Sequence, residues 1–207
     1  MDFASVIIIQ DMGMKTDVIT ISSEGNNMEA ALAQIDKISI YNDLSRKNTI
    51  TLRLLTEEVL AMMRAIAGNV NGEFWIEDQD GVYELHLLVR TLVDEKIREQ
   101  LLAASSSGKN EATRGFMGKI RSFFEPSPEV PMFSAGLAGG APQMFESYNW
   151  SMEDYRDQLR QRYELDQRSS QEEWDELERS VVANLADDVK VSIRGRNVEM
   201  TIIKHLA

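Results

Sequence analysis

The sequence predicts an α+β fold: a two-layer sandwich in which helices cover one face of a mixed, mostly antiparallel sheet. Three observations carry this. Apolar and alternating runs flank Asp80-Gly81, a two-residue hairpin signal. A second pair of strand-like runs, 189–194 and 197–206, closes the sequence. The helical patterns come in blocks before and between these hairpins, and do not alternate singly with strands.

The elements follow in order. Residues 5–10 form a short apolar run, read as a strand or a partner-docking arm. Residues 15–23 place Val18, Ile19 and Ile21 among threonines and serines, as a strand does. Gly25-Asn26-Asn27 supplies a turn and a cap. From Met28, Ala31, Leu32, Ile35 and Ile38 recur at helical spacing, giving a helix to about Asp43. Ser45 caps the next helix. Its stripe of Leu55, Val59, Met62 or Met63 and Ile66 steps by three and four, the mark of one buried face. Residues 69–72 break that helix, and 73–77 and 82–91 form the first hairpin. A helix over 94–103 follows.

Composition then shifts. All four prolines fall within 126–142, and six of the 12 glycines lie between Gly108 and Gly140. Residues 104–150 are therefore read as an insertion into a single domain spanning 1–207, with its core in about 15–103 and 151–207. Only 114–124 keeps a periodic pattern there, a short basic-aromatic helix. Two helices, 151–168 and 170–187, lead into the closing hairpin.

At 207 residues the chain is long enough to bury one sizeable core. Apolar residues make up 43% and charged residues 27%, ordinary values for a globular protein. A net charge of −12 argues against nucleic-acid binding, which needs clustered Lys and Arg. The absence of cysteine excludes disulfides and thiolate metal sites. Residues 1–10 lack a cationic leader, and their apolar stretch is too short for a signal peptide or a span. A cytoplasmic protein is expected, without membrane association.

Two stretches hold the functional signal. One is the helix Leu55-Thr56-Glu57-Glu58-Val59-Leu60-Ala61-Met62-Met63-Arg64-Ala65-Ile66; the other is 185–206, the end of a helix and two strands. With the element order, they resemble the anti-sigma factor serine kinases, of the ATPase superfamily of gyrases and sensor histidine kinases. The likeness covers roughly 15–92 and 174–206. It implies that superfamily's sandwich, with ATP and Mg²⁺ as the family's cofactors and a sigma factor or anti-sigma antagonist as partner.

Position by position, the resemblance also implies loss. The family's first nucleotide box reads roughly Glu-Ala-x-x-Asn-Ala, with a catalytic carboxylate and a magnesium-holding Asn. Glu58 takes the place of the carboxylate, and Met62 stands where the Asn belongs. In the second box, Asp-x-Gly-x-Gly, Thr91 replaces the Asp and Val93 the first Gly. The third box is a glycine turn that lets backbone amides reach phosphates. Here Asp175-Glu176-Leu177-Glu178-Arg179-Ser180 has no glycine and several carboxylates, which repel a triphosphate. A thioether is a poor ligand for Mg²⁺. No bound cofactor is expected, and Met62 is expected to fill the vacated pocket with its own side chain.

Three functions follow as expectations: a regulatory interaction module without efficient ATP hydrolysis, an active serine-protein kinase using Glu58 with unconventional ligands, or an oligomerisation protein in which residues 5–10 add a strand to a neighbour. A homodimer is compatible with the third. Phe116, Ile120, Phe123 and Phe124 form the apolar side of 114–124, which docks a partner, lies on a membrane surface or packs on the sheet. His86 and His205 have no second ligand at metal spacing along the sequence, so no metal site is expected.

Overall fold

The structure, a computed structural model, describes residues 13–66, 69–90, 116, 120, 121, 148–165, 167–194 and 196–206. In chain order its elements are β1 (Met14–Lys15), β2 (Ile19–Ser22), α1 (Met28–Tyr41), α2 (Arg46–Ala65), β3 (Asn71–Gln79) and β4 (Val82–Arg90). Then come β5 (Tyr148–Ser151), α3 (Met152–Leu165), α4 (Gln167–Arg179), α5 (Val181–Leu185), β6 (Asp188–Arg194) and β7 (Asn197–His205). The class is α+β, with an open seven-stranded antiparallel sheet in the order β1-β3-β4-β7-β6-β5, β2 also pairing with β3. The expected strand 5–10 and helix 94–103 lie outside the described residues.

The β3–β4 turn works as its residues require. Asp80 and Gly81 both have positive φ, 53° and 79°, which suits a two-residue turn to the twist of its strands. Gln79 therefore pairs with Val82, and the register runs unbroken to Gly72 opposite Val89. Alternation then sorts the side chains. Phe74, Ile76, Tyr83, Leu85 and Leu87 point to one face, as do Met200 and Ile202 of β7 and Val189, Val191 and Ile193 of β6. The buried apolar side chains of these five helices join one cluster with these residues. Each such apolar side chain contributes about 1.5–3 kcal/mol when fully buried.

Helices α1 and α2 make an antiparallel pair over this face. Asn27, in the left-handed region, precedes α1 and donates its side-chain amide to Thr20 O at 2.8 Å. Ser45 caps α2 as expected, its Oγ accepting from Asn48 N at 3.2 Å. The α2 stripe of Leu55, Val59, Met62 and Met63 is buried throughout.

Three differences from the sequence expectation have identifiable causes. The strand read over 15–23 is two strands, because the Thr16 hydroxyl accepts the Ile76 amide (3.0 Å) while Thr16 N donates to Ile76 O (2.9 Å). The helix read over 170–187 stops at Arg179. Ser180 adopts extended backbone, and its Oγ accepts from Ala183 N at 3.3 Å, starting α5. Finally, the end of the expected insertion, with the residue after it, is strand: β5 pairs with β6, Trp150 opposite Val191. No described helix is long and apolar enough to cross a membrane.

Candidate functional site

Helix α2 carries the two first-box positions, Glu58 and Met62, to different surroundings. Glu58 is half-buried. Met62 is 4% exposed and belongs to the core cluster, as does Val59 one turn before it. Upstream on the same helix, Thr56 Oγ1 donates back to Leu52 O at 2.9 Å, which satisfies its buried hydroxyl without a ligand. Glu57 accepts from Arg53 Nε at 3.3 Å, an ion pair of two exposed side chains. Nothing on this face of α2 presents a cluster of hard oxygen donors to the sheet among the described residues.

The third-box region is helical through Arg179, and the Ala183 amide is held by Ser180 Oγ. Asn184 Nδ2 closes the junction by donating to Glu178 O at 2.6 Å. A helix followed by a side-chain cap leaves no glycine turn for phosphates. Thr91 and Val93, the second-box positions, lie outside the described residues, as do Phe123 and Phe124. Phe116 and Ile120, candidates for partner docking, are instead core members at 3% and 0% exposure. Phe116 packs against the protein's own Trp150 and Tyr155, ring centroids 6.1 and 6.4 Å away. Burial raises the Tyr155 hydroxyl pKa, and Glu173, which accepts its proton at 3.1 Å, adds to the rise.

The closing hairpin is pinned by the Asp187-Asp188 turn. Asp187 accepts from the His205 amide, from Lys204 Nζ at 3.0 Å and faces the His205 ring at 3.0 Å. Asp188 Oδ1 accepts from Val189 N at 2.8 Å and from Glu153 N, the second residue of α3, at 3.2 Å. These aspartates hold the fold's own backbone and side chains.

Two polar groupings escaped the sequence reading. Asn42, just after α1, donates to Asp78 Oδ2 (2.8 Å) and to the Tyr83 hydroxyl (2.7 Å), tying the helix end to the sheet beside a cavity of about 610 Å³. Burial raises the Tyr83 hydroxyl pKa against the lowering effect of Asn42. On the sheet face turned away from the core, Trp75 stacks on His86, and Lys15 Nζ lies 4.7 Å from the Trp75 ring centroid. The Lys15 hydrogen bond, stronger than the opposing effect of burial and aided by Trp75 and His86, holds the Glu77 carboxyl below its usual range. Among the described residues, Glu77, Glu84 and His86 are the group with donors close enough to hold a metal ion.

The chain matches no protein-family model and no curated protein.

Proposed function

We propose that this chain is a non-catalytic regulatory module, similar to the anti-sigma factor serine kinases, that acts by binding another protein in a bacterial cytoplasm. The observation that carries this is Met62. At the position where the resembled family keeps its magnesium-holding Asn, this chain buries a thioether in a continuous apolar core. Mg²⁺ needs hard oxygen ligands and sheds water reluctantly, so a buried sulfur is a poor substitute. The carboxylates of Asp175, Glu176 and Glu178, in the region resembling the third box, add a second obstacle to a triphosphate.

By resemblance the partner is a sigma factor or its antagonist, bound without phosphoryl transfer. Calorimetric titration of the full chain with ATP and Mg²⁺ tests the proposal. No binding heat is expected. Micromolar affinity would overturn it in favour of a kinase using Glu58.

A further inference from the structure

We propose that Glu77, Glu84 and His86 form a site for one divalent transition-metal ion, best matched by Zn²⁺, on the sheet face turned away from the helices. The site goes beyond the regulatory role above and shares no residue with it.

The strands bring the donors together. Glu77 on β3 and Glu84 on β4 are direct cross-strand partners, and His86 lies two residues further along β4 on the same face. One donor atom from each residue falls within a sphere of mutual separations no greater than 4.8 Å. His86 Nε2 is 3.4 Å from Glu84 Oε2 and 4.0 Å from Glu77 Oε2. Tetrahedral zinc with bonds of about 2.0–2.1 Å separates its ligands by about 3.4 Å. Glu84 and His86 already stand at that spacing. Glu77 Oε2, 4.0 Å from Nε2, stands outside that spacing and must move inward, which a side chain 41% exposed can do.

An acidic pair alone would be weak grounds; the histidine supplies the second. His86 is only 7% exposed, yet its Nε2 has no hydrogen-bond partner and points between two carboxylates. The other ring nitrogen is occupied: Nδ1 faces Glu199 Oε1 at 3.1 Å and Thr201 Oγ1 at 3.3 Å. In the tautomer that carries its proton on Nδ1, facing Glu199, the ring presents its Nε2 lone pair, the arrangement seen where a carboxylate orients a metal-binding imidazole. In that tautomer the lone pair and the two carboxylates repel one another until a cation sits among them. Like charges directly opposed across strands also cost stability, which a bound cation offsets.

The supporting shell is in place. Glu77 Oε1 accepts from Lys15 Nζ and Trp75 Nε1, both at 2.8 Å, leaving Oε2 for the ion. The Trp75 ring lies flat against His86 and fixes its plane. Glu77 and Glu84 also line a surface depression of about 410 Å³, so the ion can enter from solvent and a water can complete the coordination. Imidazole with two carboxylates and no thiolate suits Zn²⁺ and its first-row neighbours, whereas Mg²⁺ and Ca²⁺ prefer oxygen alone.

The test uses the full chain, stripped with a chelator and titrated with Zn²⁺ by calorimetry and with Co²⁺ by visible absorption. One ion per chain is expected, with Co²⁺ giving the intense bands of a low-coordinate site. Glu84→Gln and His86→Asn are each expected to weaken Zn²⁺ binding by more than about a hundredfold, the upper end of what outer-shell changes alone produce. His205→Ala, removing the other histidine, is expected to leave affinity unchanged. Circular dichroism confirms folding, and if His86→Asn unfolds, Glu84→Gln and Glu77→Gln decide. The proposal fails if the wild type takes up no Zn²⁺, if folded Glu84→Gln binds like wild type, or if His205→Ala abolishes uptake.

Discussion

Trp75 and His86 lie ring on ring across β3 and β4, their centroids 4.7 Å apart and their planes within 2° of parallel. Such a cross-strand aromatic pair stabilises a sheet beyond the area it buries. Trp75→Ala should cost about 3 kcal/mol in urea unfolding. Trp75→Phe keeps a ring over His86 and loses the Nε1 hydrogen bond to Glu77, so about 1 kcal/mol is expected. Equal losses in the two variants would show that the ring contact contributes nothing.

Met62 separates packing from ligand chemistry. Met62→Leu should shift stability by less than about 1.5 kcal/mol, because volume is conserved. Met62→Asn, the residue type of the resembled family, should cost about 2–4 kcal/mol by burying an amide among apolar neighbours. A stable Asn variant would mean that polar partners are within reach of this position.

Gly81 is held at φ +79°, and a Cβ there would meet Leu206 O at 2.8 Å. The same turn receives the Leu206 amide at Gly81 O, 2.8 Å away. Gly81→Val should therefore destabilise by more than about 1 kcal/mol, from conformational strain and from displacement of the last strand's end. Thermal unfolding checks this. An unchanged midpoint would remove the turn from the list of features that hold β4 beside β7.

Asp187 gives the fold a pH signature. Burial pushes its carboxyl up, but the His205 amide, Lys204 and the His205 ring outweigh that and hold it below its ordinary value of 3.8. A carboxyl lowered on folding adds stability above its unfolded value, and that stability drains away as pH falls through the folded value. Asp187→Asn should thus unfold at a lower temperature than wild type near neutral pH. The gap should narrow as pH drops below about 3.8. A gap independent of pH would assign the loss to packing.

Much of this architecture is legible because local chemistry and tertiary structure agree. Asp80-Gly81 sets a two-residue turn, and counting back from it pairs Glu77 with Glu84 and Trp75 with His86. Half of the cluster on that face was therefore derivable from the turn alone. Glu199 and Thr201 were not, since they arrive through the β4–β7 pairing, a choice of sheet order that no local pattern records. β5 was hidden for a similar reason: its four residues become a strand by pairing with β6 across three intervening helices. Phe116 and Ile120 show a different limit. Apolar residues on one side of a helix look alike whether they meet a partner or the chain's own Trp150, and only the assembled core distinguishes the two.

The central seam of the sheet joins residues 82–90 to 197–205. While the protein is being synthesised, β4 must wait with a bare row of amides and carbonyls until β7 leaves the ribosome. Exposed edges of that kind recruit stray strands. A nascent or prematurely terminated chain ending before Asn197 is therefore the form most in need of a chaperone, and the one most prone to aggregate.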